Sequence, residues 1–215
     1  LNGQCVIPIE YSGAIKLANI ASCAVRGGAG VVRLCVPNTI VNGVLPYILE
    51  STLYPLSDKN GSVAFNKEEL DILISSSKVI AIGMGLGQKG ENEKILDYLL
   101  NNYEGILIID ADGINTLANM DNALLKNAKC QIVLTPHLKE FERLSGRKIS
   151  EINEKPIKYA EEYAKNNNVV LLLKGTATII TNGEDTYLTN TGCSGMATGG
   201  SGDVLSGILA GICSS

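Results

Sequence analysis

Short apolar runs alternate with amphipathic segments along most of the chain. The apolar runs are bounded by Gly, Pro, Asp or Asn, which is typical of strands buried on both faces of a parallel sheet. They cover residues 31–36, 79–82, 106–109, 131–134 and 169–173. Segments with helical periodicity cover residues 13–26, 66–75, 91–102 and 154–167. This alternation predicts an α/β fold in which helices cover both faces of a central, mostly parallel sheet.

The pattern changes towards the end of the chain. Two strand-like runs, at 177–181 and 186–189, flank Asn182-Gly183, a dipeptide typical of β-hairpins. They predict an antiparallel hairpin at one edge of the sheet. Because the sequence has no linker and no internal repeat, residues 1–215 are predicted to form a single domain. We expect that domain to be incomplete at both ends.

Composition narrows the class of protein. The chain has 215 residues, of which 45% are hydrophobic, so one domain can bury a large core. A formal net charge of −4 offers no basic field to a nucleic acid, and the apolar runs are shorter than the roughly 20 residues that cross a bilayer. Six cysteines without a CxxC pair and a single histidine argue against a zinc site. We therefore expect a cytoplasmic protein with reduced thiols that binds neither nucleic acid nor membrane.

A glycine-rich segment precedes the last helical pattern, which starts at Val204. In open α/β sheets, ligands bind beyond the carboxyl ends of the strands. Glycines let backbone N–H groups converge and a following helix adds its positive end, so residues 199–202 are predicted to form an anion hole for a phosphate. Asp203 stands at the start of that helix, where a carboxylate can accept a proton from a substrate hydroxyl. The alternative is an ordinary turn in which Asp203 is a favourable residue for a helix start.

A second glycine loop follows the strand predicted at 79–82. Gly85, Gly87 and Gly90 match the GxGxxG pattern, and Asp110 ends the next strand at about the distance expected of a ribose-binding acid. The segment therefore predicts either a dinucleotide-binding loop or a tight turn between strand and helix.

Three polar side chains that follow other strands have two interpretations each. Asp112 is either a helix cap or a ligand contact. His137 lies where a ligand would bind, although a lone histidine commonly serves the structure. Lys174 either contacts a phosphate as a point charge or pairs with a surface carboxylate.

Taken together, these segments resemble those of a known family. The matching sequences are Tyr11-Ser12-Gly13-Ala14, Gly28-Ala29-Gly30, Gly83-Met84-Gly85-Leu86-Gly87, Asp110-Ala111-Asp112-Gly113, Thr135-Pro136-His137, Leu173-Lys174-Gly175 and Gly195-Met196-Ala197 through Asp203. In this order they resemble the ADP/ATP-dependent (S)-NAD(P)H-hydrate dehydratase family of the ribokinase-like superfamily. The resemblance implies a three-layer α/β/α fold of the ribokinase type.

The function that this resemblance implies is nicotinamide-nucleotide repair. Hydrated NADH or NADPH carries a hydroxyl on its nicotinamide ring, which ADP or ATP phosphorylates in the presence of Mg²⁺ before phosphate leaves. Asp203 would be the catalytic base. The hydrated dinucleotide would contact Ala14, Gly85, His137 and Asp203. The adenine nucleotide would contact Lys174, Gly175, Thr176, Ala177, Thr178, Gly199, Gly200, Ser201 and Gly202. The resemblance assigns no Mg²⁺ ligand.

The resemblance extends to partners. We expect a homo-oligomer that uses ADP, by analogy with bacterial members, and that is fused to an NAD(P)H-hydrate epimerase or works beside one. Two features depart from the family pattern. Val6 through Glu10 run directly into Tyr11 without the usual Gly-Gly-Ser-type turn, and Cys193-Ser194 replace an Asn-Pro pair.

Two other functions fit the same motifs. The first is a ribokinase-like kinase that phosphorylates a thiazole or pyrimidine alcohol and releases the product. The second is a non-catalytic nucleotide-binding module. Asp203 would act as a base in the kinase and would have no chemical role in the module.

Overall fold

The computed structural model describes residues 4–8, 14–196 and 198–215, with side-chain burial from residue 18 onward. The strands are β1 (Gln4–Pro8), β2 (Val31–Pro37), β3 (Thr52–Leu56), β4 (Asp58–Lys59), β5 (Ser62–Val63), β6 (Val79–Ile82), β7 (Ile106–Ile109), β8 (Gln131–Leu134), β9 (Val170–Leu173), β10 (Thr178–Thr181) and β11 (Thr186–Thr189). The helices are α1 (Ala14–Arg26), α2 (Val41–Val44), α3 (Lys67–Ser76), α4 (Asn92–Asn102), α5 (Ala111–Leu117), α6 (Ala123–Lys126), α7 (Leu138–Ser145), α8 (Ile149–Glu154), α9 (Pro156–Asn167) and α10 (Ser201–Ser214). Residues 9–13, where the shortened first loop was predicted, and Ala197 lie outside the described residues.

Most of the predicted elements are confirmed. The five predicted strands correspond to β2, β6, β7, β8 and β9, and the hairpin to β10 and β11. The predicted helices correspond to α1, α3, α4 and α9, with ends shifted by one or two residues at most. β3 was not predicted; its sequence contains a proline, which is tolerated because this strand lies at the edge of the sheet. The short helices α2, α6, α7 and α8 were not predicted either, because they have too few turns to show a clear apolar period. A helix start at α5 was expected, since Asp112 was a candidate cap.

One sheet organises the molecule. Within the described residues it has nine strands in the order β11-β10-β9-β8-β7-β6-β1-β2-β3. The strands from β9 to β3 in this order are parallel, whereas β10 is antiparallel to both β9 and β11. The chain moves outward from β1 in one direction and from β6 in the other. A crevice for ligands is therefore expected between β1 and β6, beyond the carboxyl ends of these strands.

Helices cover both faces of the sheet, so the predicted three-layer architecture is confirmed. α1, α2 and α10 pack on one face, and α3 to α9 pack on the other. In β2, the side chains of Leu34 and Val36 belong to the core under α1, α2 and α10, whereas Cys35 belongs to the core on the opposite face. Successive side chains of a strand point to opposite faces of the sheet. None of the described helices is both long and apolar enough to cross a membrane.

The backbone of α10 packs directly against the backbone of α1. A β-carbon placed on Gly207 would lie 2.5 Å from the carbonyl oxygen of Ile20, and one on Gly211 would collide with the carbonyl oxygen of Ala24. The side of α10 that is buried is composed of small residues throughout, namely Ser206, Gly207, Ala210, Gly211 and Ser214. Because interiors are close-packed, this contact determines where the first turn of α10 stands above the sheet.

We expect Gly207→Ala to lower the free energy of unfolding by about 1–3 kcal/mol, because the new methyl group must displace backbone atoms of α1. Gly43→Ala in α2 is the matched control, since no atom lies within 4 Å of the added carbon. It should be neutral or stabilise the protein by up to about 1 kcal/mol. Urea denaturation measures both values, and equal effects would contradict the tight contact.

Candidate active site

The glycine-rich loop leads directly into α10. The residue that caps the helix is Gly200, whose φ of +95° lies in the left-handed region that favours glycine. The hydroxyl of Ser201 donates to the carbonyl oxygens of Met196 and Thr198, at 2.6 and 2.8 Å, and so holds the turn closed. Because Gly200 has no side chain to cap the helix, the first-turn N–H groups can receive an anion.

A cavity of about 380 Å³ opens at this loop. Its lining consists of Asn19, Met196, Thr198, Gly199, Gly200, Ser201, Asp203 and Val204. Asp203 belongs to the first turn of α10, and Asn19 comes from α1. A carboxylate and the positive end of a helix therefore meet at one cavity, as a proton transfer beside a bound phosphoryl group requires.

Lys174 follows β9 and lies close to the glycine loop. Its Nζ is 3.9 Å from the position that a β-carbon on Gly202 would occupy. The same Nζ forms an ion pair with Asp110 Oδ1 at 2.9 Å, and the hydroxyl of Ser206 donates to Asp110 Oδ2 at 2.7 Å. Asp110 is 2% exposed, so removal of one partner of this buried pair is expected to cost about 3–5 kcal/mol. Lys174 thus pairs with a carboxylate, but that carboxylate is buried and not at the surface as the structural interpretation expected, and the pair lies beside the glycine loop.

The loop after β6 is pressed against the start of α5. A β-carbon on Gly83 would collide with the carbonyl oxygen of Asp110 and lie 2.6 Å from the nitrogen of Gly113. Asp112 does not cap α5. Its Oδ2 accepts a hydrogen bond from the N–H of Gly87 at 3.0 Å, so this carboxylate anchors the glycine loop.

The glycines of the GxGxxG match all have positive φ values, of 68° at Gly85, 72° at Gly87 and 103° at Gly90. A dinucleotide-binding loop of the GxGxxG type would also need Asp110 to receive a ribose hydroxyl. Both oxygens of that carboxylate are bonded to Lys174 and Ser206. The geometry therefore favours the interpretation of this loop as a turn beside the crevice between β1 and β6.

His137 caps α7. Its Nδ1 accepts hydrogen bonds from the N–H groups of Lys139 and Glu140, both at 3.1 Å, and Glu140 accepts the His137 N–H at 2.8 Å, which completes a capping box. Burial raises the pKa of the Glu140 carboxyl, while the hydrogen bond from the His137 N–H and the nearby charge of Lys174 oppose that shift. The His137 side chain is 51% exposed, so its ring serves the helix and also remains accessible to a ligand.

The other predicted site residues lie at the same edge of the sheet. The turn from β9 to β10 contains Gly175, Thr176 and Ala177, and Thr178 is the first residue of β10. Gly85 follows β6, and Ala14 is the first residue of α1. The described residues that line the cavity include neither Gly85 nor His137, nor Gly202, nor residues 174–178. Sequence reasoning missed Asn19 and Ser206, because no local motif marks a residue that reaches the site through helix packing.

The model of a family described as NAD(P)H-hydrate dehydratase matches residues 8–215 of this chain. The chain belongs to this family. It is 37% identical over 206 residues to the bifunctional NAD(P)H-hydrate repair enzyme Nnr of Moorella thermoacetica, a match that covers 94% of this chain and 38% of that protein. The chain thus spans less than two fifths of the length of this relative.

Two further members of the family match over most of the chain. The ADP-dependent (S)-NAD(P)H-hydrate dehydratase of Nitrosopumilus maritimus is 34% identical over 205 residues, which are 95% of this chain and 69% of that protein. A crystal structure of the ADP/ATP-dependent NAD(P)H-hydrate dehydratase from Bacillus subtilis, co-crystallised with ATP/Mg²⁺ and soaked with CoA, matches with a TM-score of 0.78 at 25% identity. That match covers 98% of this chain and 73% of the other. The predicted ribokinase-like fold is therefore confirmed.

Substitutions of His137 separate its capping role from any ligand contact. His137→Ala should lower the free energy of unfolding by about 0.5–2 kcal/mol, because two N–H groups of α7 lose their acceptor. His137→Asn should retain most of the wild-type stability, since asparagine caps helices well. Denaturation of both variants by urea tests this, and a stability loss as large for asparagine as for alanine would contradict the capping role.

Proposed function

We propose that this protein converts (S)-NAD(P)H-hydrate back to NAD(P)H with ADP or ATP as phosphoryl donor. The observation that carries the proposal is the position of Asp203 at a glycine-lined cavity and a helix start, in a chain that matches the dehydratase family over residues 8–215. We further propose that residues 1–215 act as one domain, which the nine-stranded sheet running through the described residues supports.

Asp203 would act on the hydroxyl of the hydrated ring. Its carboxylate accepts the hydroxyl proton as the oxygen bonds to the terminal phosphorus, and the bond from that phosphorus to the remaining nucleotide breaks. The N–H groups of Gly199, Gly200 and Gly202 would stabilise the negative charge on the phosphoryl oxygens, while the Ser201 N–H donates to the Thr198 carbonyl oxygen at 3.3 Å. Departure of phosphate from the ring carbon and of a proton from its neighbour then restores the double bond.

The substrate and the nucleotide would approach from opposite sides of Asp203. Ala14 and Gly85 follow β1 and β6, which border the crevice at the reversal of strand order, so the hydrated dinucleotide would bind there. The nucleotide would lie over the β9–β10 turn, where Lys174 and Gly175 to Thr178 offer an ammonium, backbone and hydroxyl groups. His137 follows β8 and forms a β-bridge with Lys174, so it would contact the substrate from the nucleotide side.

Mg²⁺ enters the proposal with the nucleotide. The described residues contain no group of three or more His, Cys, Asp or Glu side chains that could hold a metal ion. We propose that Mg²⁺ is coordinated mainly by phosphate oxygens of the nucleotide and by water, as is usual for this ion. When bound, Mg²⁺ would neutralise charge on the transferring phosphate.

The remaining expectations about the whole protein are proposals as well. ADP is the favoured nucleotide, which the name of the Nitrosopumilus maritimus relative supports. An epimerase, fused or separate, is supported by the bifunctional relative. A cytoplasmic location is supported by the free cysteines found among the described residues. Homo-oligomerisation follows from analogy with other α/β enzymes.

The activity is tested by incubating the protein with hydrated NADPH, ADP and Mg²⁺. Release of phosphate together with NADPH is expected, and a parallel reaction with ATP compares the two donors. A stable phosphorylated compound formed from a thiazole or pyrimidine alcohol would identify the kinase instead. The proposal fails if NADPH is recovered with neither nucleotide.

Asp203→Asn should lower turnover by roughly 10²- to 10⁴-fold, because the amide cannot accept the hydroxyl proton. Nucleotide affinity measured by calorimetry should change little. Asp185→Asn, in the exposed loop between β10 and β11, is the matched control and should retain full turnover. Turnover of the Asp203 variant within a few-fold of wild type would show that this carboxylate is not the base.

A further inference from the structure

Asp110 occupies a position at which an aspartate ordinarily caps a helix. It precedes α5 as the N-cap residue, yet its side chain forms no capping hydrogen bond. Its two oxygens instead bond to Lys174 Nζ and to the hydroxyl of Ser206, at 2.9 and 2.7 Å, and the residue is 2% exposed. The helix start thus forgoes a favourable cap, and a charge is buried in its place.

The backbone beside Asp110 carries a second local cost. Ala111 has a φ of +48°, which lies in the left-handed region that residues with a side chain rarely adopt. Such a conformation persists where surrounding contacts hold it in place, and it is concentrated at functional sites. The missing cap and this strained residue are adjacent, so both coincide with the turn that directs Asp110 towards Lys174 and Ser206.

The two bonds of Asp110 join parts of the site that the sequence separates widely. Lys174 follows β9 and stands next to Gly202, whereas Ser206 lies on α10 three residues after Asp203. Asp110 itself directly follows β7, so one carboxylate links two strand ends to the helix that bears the proposed base. We propose that Asp110 is a positioning residue that sets Lys174 and α10 in register across the nucleotide site.

This inference rests on the proposed nucleotide role of Lys174, and the physical reason concerns that side chain. A lysine ammonium is a point charge on a flexible four-carbon stem, which by itself does not hold one position. Asp110 takes one of its three N–H donors and thereby limits its rotamers, leaving two donors for a phosphate. The Lys174 side chain then loses its conformational entropy before the nucleotide binds, which lowers the entropic cost of binding.

A double-mutant cycle on nucleotide affinity tests the link between Asp110 and Lys174. The variants are Lys174→Met, Asp110→Asn and the double variant, with the Kd for ADP measured by calorimetry. Lys174→Met should raise the Kd about 10- to 100-fold, as expected for loss of a charge-assisted contact, and Asp110→Asn about tenfold. The double variant should bind within about twofold of Lys174→Met, because Asp110 acts through Lys174.

The outcomes of the cycle are distinct. If the fold-changes in Kd of the two single variants multiply in the double variant, the inference is overturned, because Asp110 then acts independently of Lys174. If the predicted coupling is found but no NADPH is recovered in the activity assay, the inference is supported and only the dehydratase proposal is overturned. Absence of ADP and ATP binding by the wild-type protein would overturn both.

Ser206 provides a second measurement that does not depend on whether the Asp110 variant folds. Ser206→Ala should lower kcat about tenfold while the KM for ADP stays within about twofold, because α10 and Asp203 lose their tether but Lys174 keeps its partner. Ser214→Ala is the matched control, since Ser214 is also buried in α10 but donates within its own helix, to the Gly211 carbonyl oxygen at 2.8 Å. Equal kcat values for the two variants would overturn the part of the inference that concerns α10.

Discussion

The contact between α1 and α10 is the constraint on which the site depends. α10 carries the turn proposed to bind an anion, the proposed base Asp203 and the hydroxyl of Ser206, so its placement determines the geometry of all three. Gly207 and Gly211 let the two helix backbones touch, which leaves little freedom for α10 to slide or rotate. α1 also contributes Asn19 to the cavity, so the packing of α1 against α10 brings together residues of the site.

Beneath this contact, a buried ion pair connects the helix layer to the carboxyl edge of the sheet. A buried pair is costly to desolvate and is weak evidence for stability by itself. Its position here gives it a different meaning, because Asp110, Lys174 and Ser206 meet where β7, β9 and α10 converge. The charge that would meet a phosphate is therefore held by the same carboxylate that contacts the helix bearing the base.

Several residues that motifs mark as chemical candidates have structural roles of their own. Asp112 anchors the glycine loop through Gly87, and His137 caps α7. Neither role excludes contact with a substrate, because both residues stand at the ligand-binding edge of the sheet. Phosphoryl transfer depends on the alignment of the reactants, so contacts that hold these loops in place support the proposed chemistry indirectly.

The sequence by itself determined the α/β class, most strands and the longer helices, because apolar runs and helical periods are local properties of the chain. It also pointed to Asp203 and the glycine loop as a candidate site, since these residues are contiguous in the chain. Only the tertiary structure decided that Asp110 pairs with Lys174 and Ser206, which are 64 and 96 residues away, and that Asn19 reaches the cavity. These contacts depend on strand order and on the close approach of α1 and α10, and no local pattern carries information about either.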